Sequence, residues 1–113
     1  MYLIDLKLDF IYVFMHIISR KKLLEFAQVH ANALTPLDDW YKIAKSANWG
    51  HIDDVRKFYP SADGVGNFTV FNIKGNDYRL IVSIEYQKQM IYVKYVLTHA
   101  EYNKEKWKND PYY

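Results

Sequence analysis

Residues 67–98, NFTVFNIKGNDYRLIVSIEYQKQMIYVKYVLT, decide the fold class, because their apolar residues follow strand-like patterns and lose helical spacing. Three strands are predicted, over residues 67–73, 78–86 and 90–97. In the second strand Tyr78, Leu80, Val82, Ile84 and Tyr86 share one face, and Arg79, Ile81, Ser83 and Glu85 share the other. The first connecting turn, residues 74–77, contains a glycine that can adopt positive φ. Consecutive strands with short turns predict an antiparallel meander.

The residues before this stretch show the apolar spacing of helices. Ser19 is a candidate N-cap for a helix of about 15 residues, and Thr35-Pro36 opens a second helix. Residues 51–58 add one or two helical turns, and residues 60–66 form a loop. The predicted apolar stripes contain Leu23, Leu24, Ala27, Ala31 and Leu34 in the first helix, then Trp40, Ile43, Ala44 and Ala47 in the second. Helices followed by strands predict a single α+β domain.

The composition is that of one globular domain that can bury a core. The chain has 113 residues, of which 50% are hydrophobic and 25% are charged. Because it has no cysteine, disulfides, cysteine-ligated zinc and thiol nucleophiles are excluded. The net charge of +2 permits a nucleic-acid partner without requiring one. His16, His30 and His51 are not spaced as a metal set, so the sequence predicts no metal and no cofactor.

Residues 1–14, MYLIDLKLDFIYVF, differ from the rest of the chain. They are too short to span a bilayer, and three charged residues interrupt them. They also lack the basic start and the cleavage site of a signal peptide, so no membrane partner is predicted. Alternating apolar residues between Ile4 and Phe10 are compatible with an added strand. The sequence from Met15 looks like a natural beginning, so residues 1–14 are either a leader or an added strand, and residues 15–113 form the domain.

The polar residues that follow the third strand can carry chemistry. Thr98 followed three residues later by Glu101 matches the capping box, which predicts a short helix beginning at His99. In such a helix His99 and Tyr102 share one face, and the positive helix end favours a neutral imidazole. Basic residues lie on the preceding strands, in the first turn and after the helix start: Arg79, Lys94, Lys74, Lys104 and Lys106.

This set of groups suits the cleavage of RNA without a metal. The ribose 2′-hydroxyl is the nucleophile, a base takes its proton, an acid protonates the leaving 5′-oxygen, and cations stabilise the phosphorane. The need for a 2′-hydroxyl would restrict the reaction to RNA. From the residues alone, a strand-terminal histidine, a core tyrosine and solvated lysines remain the default interpretation.

Residues 76–104, NDYRLIVSIEYQKQMIYVKYVLTHAEYNK, resemble the HigB toxin family within the RelE-like superfamily. Three blocks carry the resemblance: NDYRLIV at residues 76–82, YVKYV at residues 92–96 and THAEY at residues 98–102. The similarity covers Met15 to about Trp107. The resemblance implies a RelE-like α+β fold, in which N-terminal helices pack on a small curved antiparallel sheet with a short C-terminal helix.

The resemblance also implies a function and its partners. Such a chain would be a cytoplasmic mRNA interferase that cleaves mRNA on the ribosome, contacts rRNA, and forms a hetero-oligomer, as a monomeric toxin, with a HigA-like helix-turn-helix antitoxin. The expected catalytic residues are His99, Arg79, Lys94 and Tyr102, and the expected RNA-binding residues are Lys74, Lys104 and Lys106. Asn103 departs from the aspartate that relatives usually carry. The alternative is a catalytically silent module that binds an antitoxin-like repressor or rRNA, in which the four catalytic candidates need not converge.

We expect a chain that begins at Met15 to fold and to remain toxic, because the family-like sequence starts there. Growth inhibition in bacteria and the melting temperature of the purified protein would measure this. If the shortened chain is insoluble while the full chain folds, residues 1–14 belong to the core.

Overall fold

The computed structural model describes residues 14–113, which form helices packed on a five-stranded sheet. The elements in chain order are β1 (His16–Ile18), α1 (Arg20–Val29), α2 (Leu34–Ser46), α3 (Ile52–Phe58), β2 (Asp63–Val65), β3 (Phe68–Ile73), β4 (Tyr78–Glu85), β5 (Met90–Thr98) and α4 (His99–Asn103). Short 3₁₀ helices at Ala31–Ala33 and Lys106–Asn109 follow α1 and α4. The predicted α+β class is confirmed, whereas the expected leader or added strand lies outside the described residues, apart from Phe14.

The sheet has the strand order β1-β5-β4-β3-β2. The predicted antiparallel meander of β3, β4 and β5 is confirmed, and β2 extends it as a further antiparallel strand. The edge strand β1 instead pairs with β5 in parallel, with Ile17 opposite Ile91. The helices separate β1 from the meander along the chain, which gives the crossover length that a parallel pair requires. The predicted loop at residues 60–66 contains β2, which turns into β3 through Gly66 at a φ of +58°.

The main core lies between the helices and one face of the sheet. Phe71 of β3 is at its centre, with ring centroids 5.5 Å from Trp40, 6.4 Å from Trp49 and 5.3 Å from Tyr59. Burial raises the pKa of the Tyr59 hydroxyl to about 12. The buried helix residues are Leu23 and Ala27 in α1, Leu37, Trp40 and Ala44 in α2, and Val55 in α3. None of the helices in the described residues is long and apolar enough to cross a membrane.

The first two helices differ from the prediction in length and capping. α1 has only 10 residues, and a 3₁₀ helix then leads directly into α2. Ala33, rather than Thr35, is therefore in the N-cap position of α2, and Ser19 precedes α1 without a side-chain capping hydrogen bond. Leu24 and Leu34 of the predicted stripe are exposed, whereas Leu23 and Ala27 are buried.

A smaller apolar cluster covers the opposite face of the sheet. It contains Phe68, Val70, Ile81 and Trp107, and the partly buried Tyr95, Leu97, Tyr102 and Tyr113 pack against it. Trp107 and Tyr113 come from the C-terminal segment, residues 104–113 after α4, which therefore lies across this face. The predicted alternation along β4 is confirmed, since Leu80 points into the main core and Ile81 into the smaller cluster. This alternation places Arg79 on the face covered by the C-terminal segment.

Candidate active site

The ends of β4 and β5 bring Arg79 and His99 into contact. Arg79 pairs with Leu97 in the sheet, and His99 begins α4 two residues further along the chain. Nη2 of Arg79 lies 3.1 Å from Nδ1 of His99. A guanidinium has no acceptor atom, so Nδ1 accepts this hydrogen bond and the ring proton is on Nε2. In this arrangement the exposed His99 side chain presents its Nε2–H group on the side of the ring away from Arg79.

Arg79 is a buried cation, with 8% of its surface exposed. Its Nη1 donates hydrogen bonds to the carbonyl oxygens of Asn76, at 3.0 Å, and Tyr78, at 3.2 Å. No carboxylate pairs with it among residues 14–113. Charged groups are rarely buried without an ionic partner, and a guanidinium binds phosphate oxygens with strong hydrogen bonds. The Arg79 position is therefore suited to an anionic ligand.

Tyr102 is a third predicted catalytic residue that the fold places beside Arg79. The Arg79 guanidinium carbon lies 5.4 Å from the centroid of the Tyr102 ring. The capping box is confirmed: Thr98 Oγ1 accepts a hydrogen bond from the Glu101 N–H, and Glu101 Oε1 accepts one from the Thr98 N–H. The bond from the Thr98 backbone lowers the pKa of Glu101. This cap fixes the start of α4 and so places His99 and Tyr102 beside Arg79.

Lys94 lies in a different environment on β5. Ile81 pairs with Tyr95 and Val82 with Val93, so Lys94 is the extra residue of a β-bulge. The bulge places Lys94 and Tyr95 on the same face, where both contact Asp110. The Lys94 amine lies 3.2 Å from Asp110 Oδ2, and the Tyr95 hydroxyl donates a 2.7 Å hydrogen bond to the same atom. The structure thus joins Lys94 to the C-terminal segment rather than to the Arg79–His99 pair.

Asp110 connects the C-terminal segment to the sheet, and its charge is stabilised there. The Tyr112 backbone N–H, the Tyr95 hydroxyl and the Lys94 amine lower the pKa of Asp110. A carboxylate whose pKa is lower in the folded state stabilises the fold above the pKa of the unfolded chain. That contribution is lost as the pH falls through the pKa of the folded state.

We therefore expect Asp110→Asn to be less stable than the wild type at pH 7, with a difference that shrinks below about pH 4. The free energy of unfolding, measured by urea denaturation from pH 7 to pH 3, tests this. Asp39→Asn, on the exposed side of α2, is the control and should show no comparable pH-dependent difference. A pH-independent difference for Asp110→Asn would show that shape, rather than charge, matters at this position.

The three predicted RNA-binding lysines are exposed at two places. Lys74 lies in the β3–β4 turn, and its amine is 3.1 Å from Asp77 Oδ2. Lys104 and Lys106 line a groove together with Tyr95, Leu97, Glu101 and Trp107. His99 borders a second groove, which is shallow and open and is lined by His30, Asn76, Asp77, Tyr78, Thr98 and Ala100. The lysines therefore surround α4 but do not contact the Arg79–His99 pair.

Two residues near the site were missed by the sequence analysis. His30 follows α1 and stacks on Phe26, with 4.4 Å between ring centroids, yet it lines the same groove as His99. Trp107 stacks on Tyr102 from the 3₁₀ helix after α4. Nothing in the local pattern around His30 indicates this proximity, whereas an aromatic residue five positions after Tyr102 could have suggested a contact. No cluster of three or more metal-ligating side chains occurs in residues 14–113.

Comparisons with known proteins identify the family. Residues 33–105 match the HigB toxin family, described as the RelE-like toxic component of a toxin–antitoxin system. The mRNA interferase HigB of Escherichia coli O6:H1 is 29% identical over 93 residues, which cover 80% of this chain and 90% of that protein. The mRNA interferase toxin HigB of Escherichia coli K12 is 26% identical over 92 residues, which cover 79% and 88% respectively. The resemblance found in residues 76–104 is thus confirmed, and the chain belongs to the HigB family of RelE-like toxins.

Proposed function

We propose that this toxin is an endoribonuclease that cleaves mRNA on the translating ribosome and so inhibits translation. The observation that carries this proposal is the contact between Arg79, a buried arginine that pairs with no carboxylate in residues 14–113, and the exposed His99. Together they offer a phosphate-binding cation and a proton-transfer group within one hydrogen bond of each other. Two relatives that carry the name mRNA interferase support the same activity.

The residues present can serve each step of RNA transesterification. The 2′-oxygen attacks phosphorus, the bond from phosphorus to the 5′-oxygen breaks, and the products are a 2′,3′-cyclic phosphate and a 5′-hydroxyl. Arg79 binds the phosphate oxygens and stabilises their additional charge in the transition state. As Arg79 turns to the phosphate, Nδ1 of His99 becomes free to take the 2′-hydroxyl proton. The Tyr102 hydroxyl donates a proton to the leaving 5′-oxygen.

Lys94 and the exposed lysines contribute positive charge in this proposal. In the free protein the Lys94 amine is paired with Asp110, so a phosphate at this position would compete with that carboxylate for the positive charge. Lys74, Lys104 and Lys106 bind RNA phosphates of the mRNA or of rRNA around α4. Binding of this kind is largely electrostatic and weakens steeply with added salt.

Membership of a toxin–antitoxin family gives this chain an antitoxin partner and an RNA-directed activity. We infer more specifically that the partner is a HigA-like helix-turn-helix protein, bound to one toxin monomer in a hetero-oligomer. The toxin acts in the cytoplasm, where it meets translating ribosomes. Co-expression of the helix-turn-helix protein should restore the growth of cells that make the toxin.

The decisive experiment adds the purified toxin to a defined mRNA, either free or under translation by purified ribosomes. Primer extension should reveal new 5′ ends in the translated mRNA and few in the free mRNA. Arrest of translation with intact mRNA would contradict the proposal and favour the silent interaction module.

A further inference from the structure

We propose that Trp107 is a positioning residue of this site, which holds Tyr102 and, through it, the Arg79–His99 pair in the resting arrangement from which both residues engage the RNA. The inference rests on the proposed nuclease function. Trp107 lies outside residues 33–105, the part of the chain that matches the family. Its role therefore follows from its contacts in this structure.

Trp107 contacts Tyr102 through both its ring and its N–H group. The two rings are stacked, with centroids 5.1 Å apart and planes inclined by 14°. The indole Nε1–H donates a 3.0 Å hydrogen bond to the backbone carbonyl of Tyr102. One contact therefore orients the plane of the tyrosine ring, and the other holds the backbone of α4. A helix of five residues is too short to be stable alone, so such outside support matters.

The chain reverses sharply to bring Trp107 back onto Tyr102. Glu105, between α4 and the 3₁₀ helix, has a φ of +59° in the left-handed region. A residue other than glycine adopts this conformation only at an energetic cost, so the surrounding contacts must stabilise it. Trp107 is well placed to do this because it is only 4% exposed and its ring meets Tyr113 edge-on at 5.6 Å.

The contacts continue from Tyr102 to the reacting groups. The Arg79 guanidinium lies over the Tyr102 ring, 5.4 Å from its centroid, and donates to Nδ1 of His99 at 3.1 Å. A tilt of the Tyr102 ring therefore changes the surface against which the guanidinium packs. Movement of Arg79 in turn releases the histidine Nδ1 that it holds as an acceptor. Loss of the indole should thus alter His99 without any direct contact between the two residues.

The first test compares Trp107→Leu with Phe68→Leu, a matched control in the same apolar cluster. Phe68 is 1% exposed and packs against Tyr113 and Lys94. Both variants should lose comparable stability. In ribosome-dependent cleavage, Trp107→Leu should lower kcat by about tenfold to a hundredfold with little change in KM, because small displacements of reacting groups are costly. Phe68→Leu should retain kcat.

Trp107→Phe refines the comparison because it keeps a smaller aromatic ring beside Tyr102 and loses the N–H hydrogen bond to the Tyr102 carbonyl. Its kcat should fall between the values for Trp107→Leu and Phe68→Leu. If Trp107→Leu does not fold, Trp107→Phe takes its place in the test. An unchanged kcat in that variant, together with the same His99 tautomer as in the wild type, would overturn the proposal.

The state of the His99 ring gives a readout that does not depend on cleavage. Imidazole ¹⁵N chemical shifts should show the Nε2–H tautomer of His99 in the wild type and in Phe68→Leu. In Trp107→Leu they should show a mixture of tautomers. If the wild type cleaves no mRNA, the proposed function fails while this measurement still tests the positioning role. Equal kcat values for Trp107→Leu and Phe68→Leu, with a wild-type His99 tautomer in both, would overturn the inference.

Discussion

Replacing His99 with alanine is expected to lower the rate of mRNA cleavage by about 10²–10⁴-fold, the usual contribution of a general acid–base group. The fold should be little affected, because the His99 side chain is exposed and belongs to neither apolar cluster. Antitoxin binding should also persist. Single-turnover cleavage on ribosomes, thermal melting and co-purification with the antitoxin measure the three effects separately.

His99→Asn distinguishes proton transfer from simple anchoring of Arg79. The asparagine Oδ1 can accept the hydrogen bond that Nδ1 now receives, but an amide does not take up a proton near neutral pH. If His99 transfers a proton, the asparagine and alanine variants should be similarly inactive. If it only holds Arg79, asparagine should restore much of the activity. Full cleavage by His99→Ala would leave the cations as the main catalytic groups.

Tyr102→Phe tests the second proton-transfer group in the same assay. The variant keeps the ring that stacks on Trp107 and removes only the hydroxyl. In the proposed mechanism its cleavage rate should fall along with that of the His99 variants. A fully active Tyr102→Phe would show that the ring alone is needed.

The parts of the site that could be predicted from the sequence depend on local geometry. Alternation along β4 separates Arg79 from Leu80, because successive side chains in a strand point to opposite faces. The capping box, Thr98 with Glu101, sets the register of α4 and hence the common face of His99 and Tyr102. Each of these signals lies within a few residues of the feature it determines.

The parts that could not be predicted depend on contacts between distant residues. The bulge at Lys94 is not visible in the run of apolar residues, and its partner Asp110 lies 16 positions further along the chain. The sequence predicts a loop at β2 because Gly64 and Gly66 flank a single apolar residue, whereas backbone pairing with β3 stabilises a strand there. The parallel edge strand β1 likewise depends on Met90 and its neighbours, more than 70 residues away.

Arg79→Ala should lower cleavage by about 10²–10³-fold, because removing one organised transition-state donor costs about 2.7–4 kcal/mol. Arg79 also supports the fold, since it is buried and donates to the carbonyls of Asn76 and Tyr78. Loss of these hydrogen bonds should also destabilise the fold, by about 1–3 kcal/mol. Urea denaturation and single-turnover cleavage measure the two effects independently.

Arg79→Lys separates charge from geometry. Lysine keeps the positive charge but lacks the planar set of donors, so it cannot hold two carbonyls and Nδ1 of His99 together. Part of the stability should return, while cleavage should stay low. A strongly destabilised Arg79→Ala that still cleaves mRNA would instead show a structural arginine.

The double variant tests whether Arg79 and His99 act as one unit. If they do, combining Arg79→Ala with His99→Ala should lower the cleavage rate by much less than the product of the two single effects.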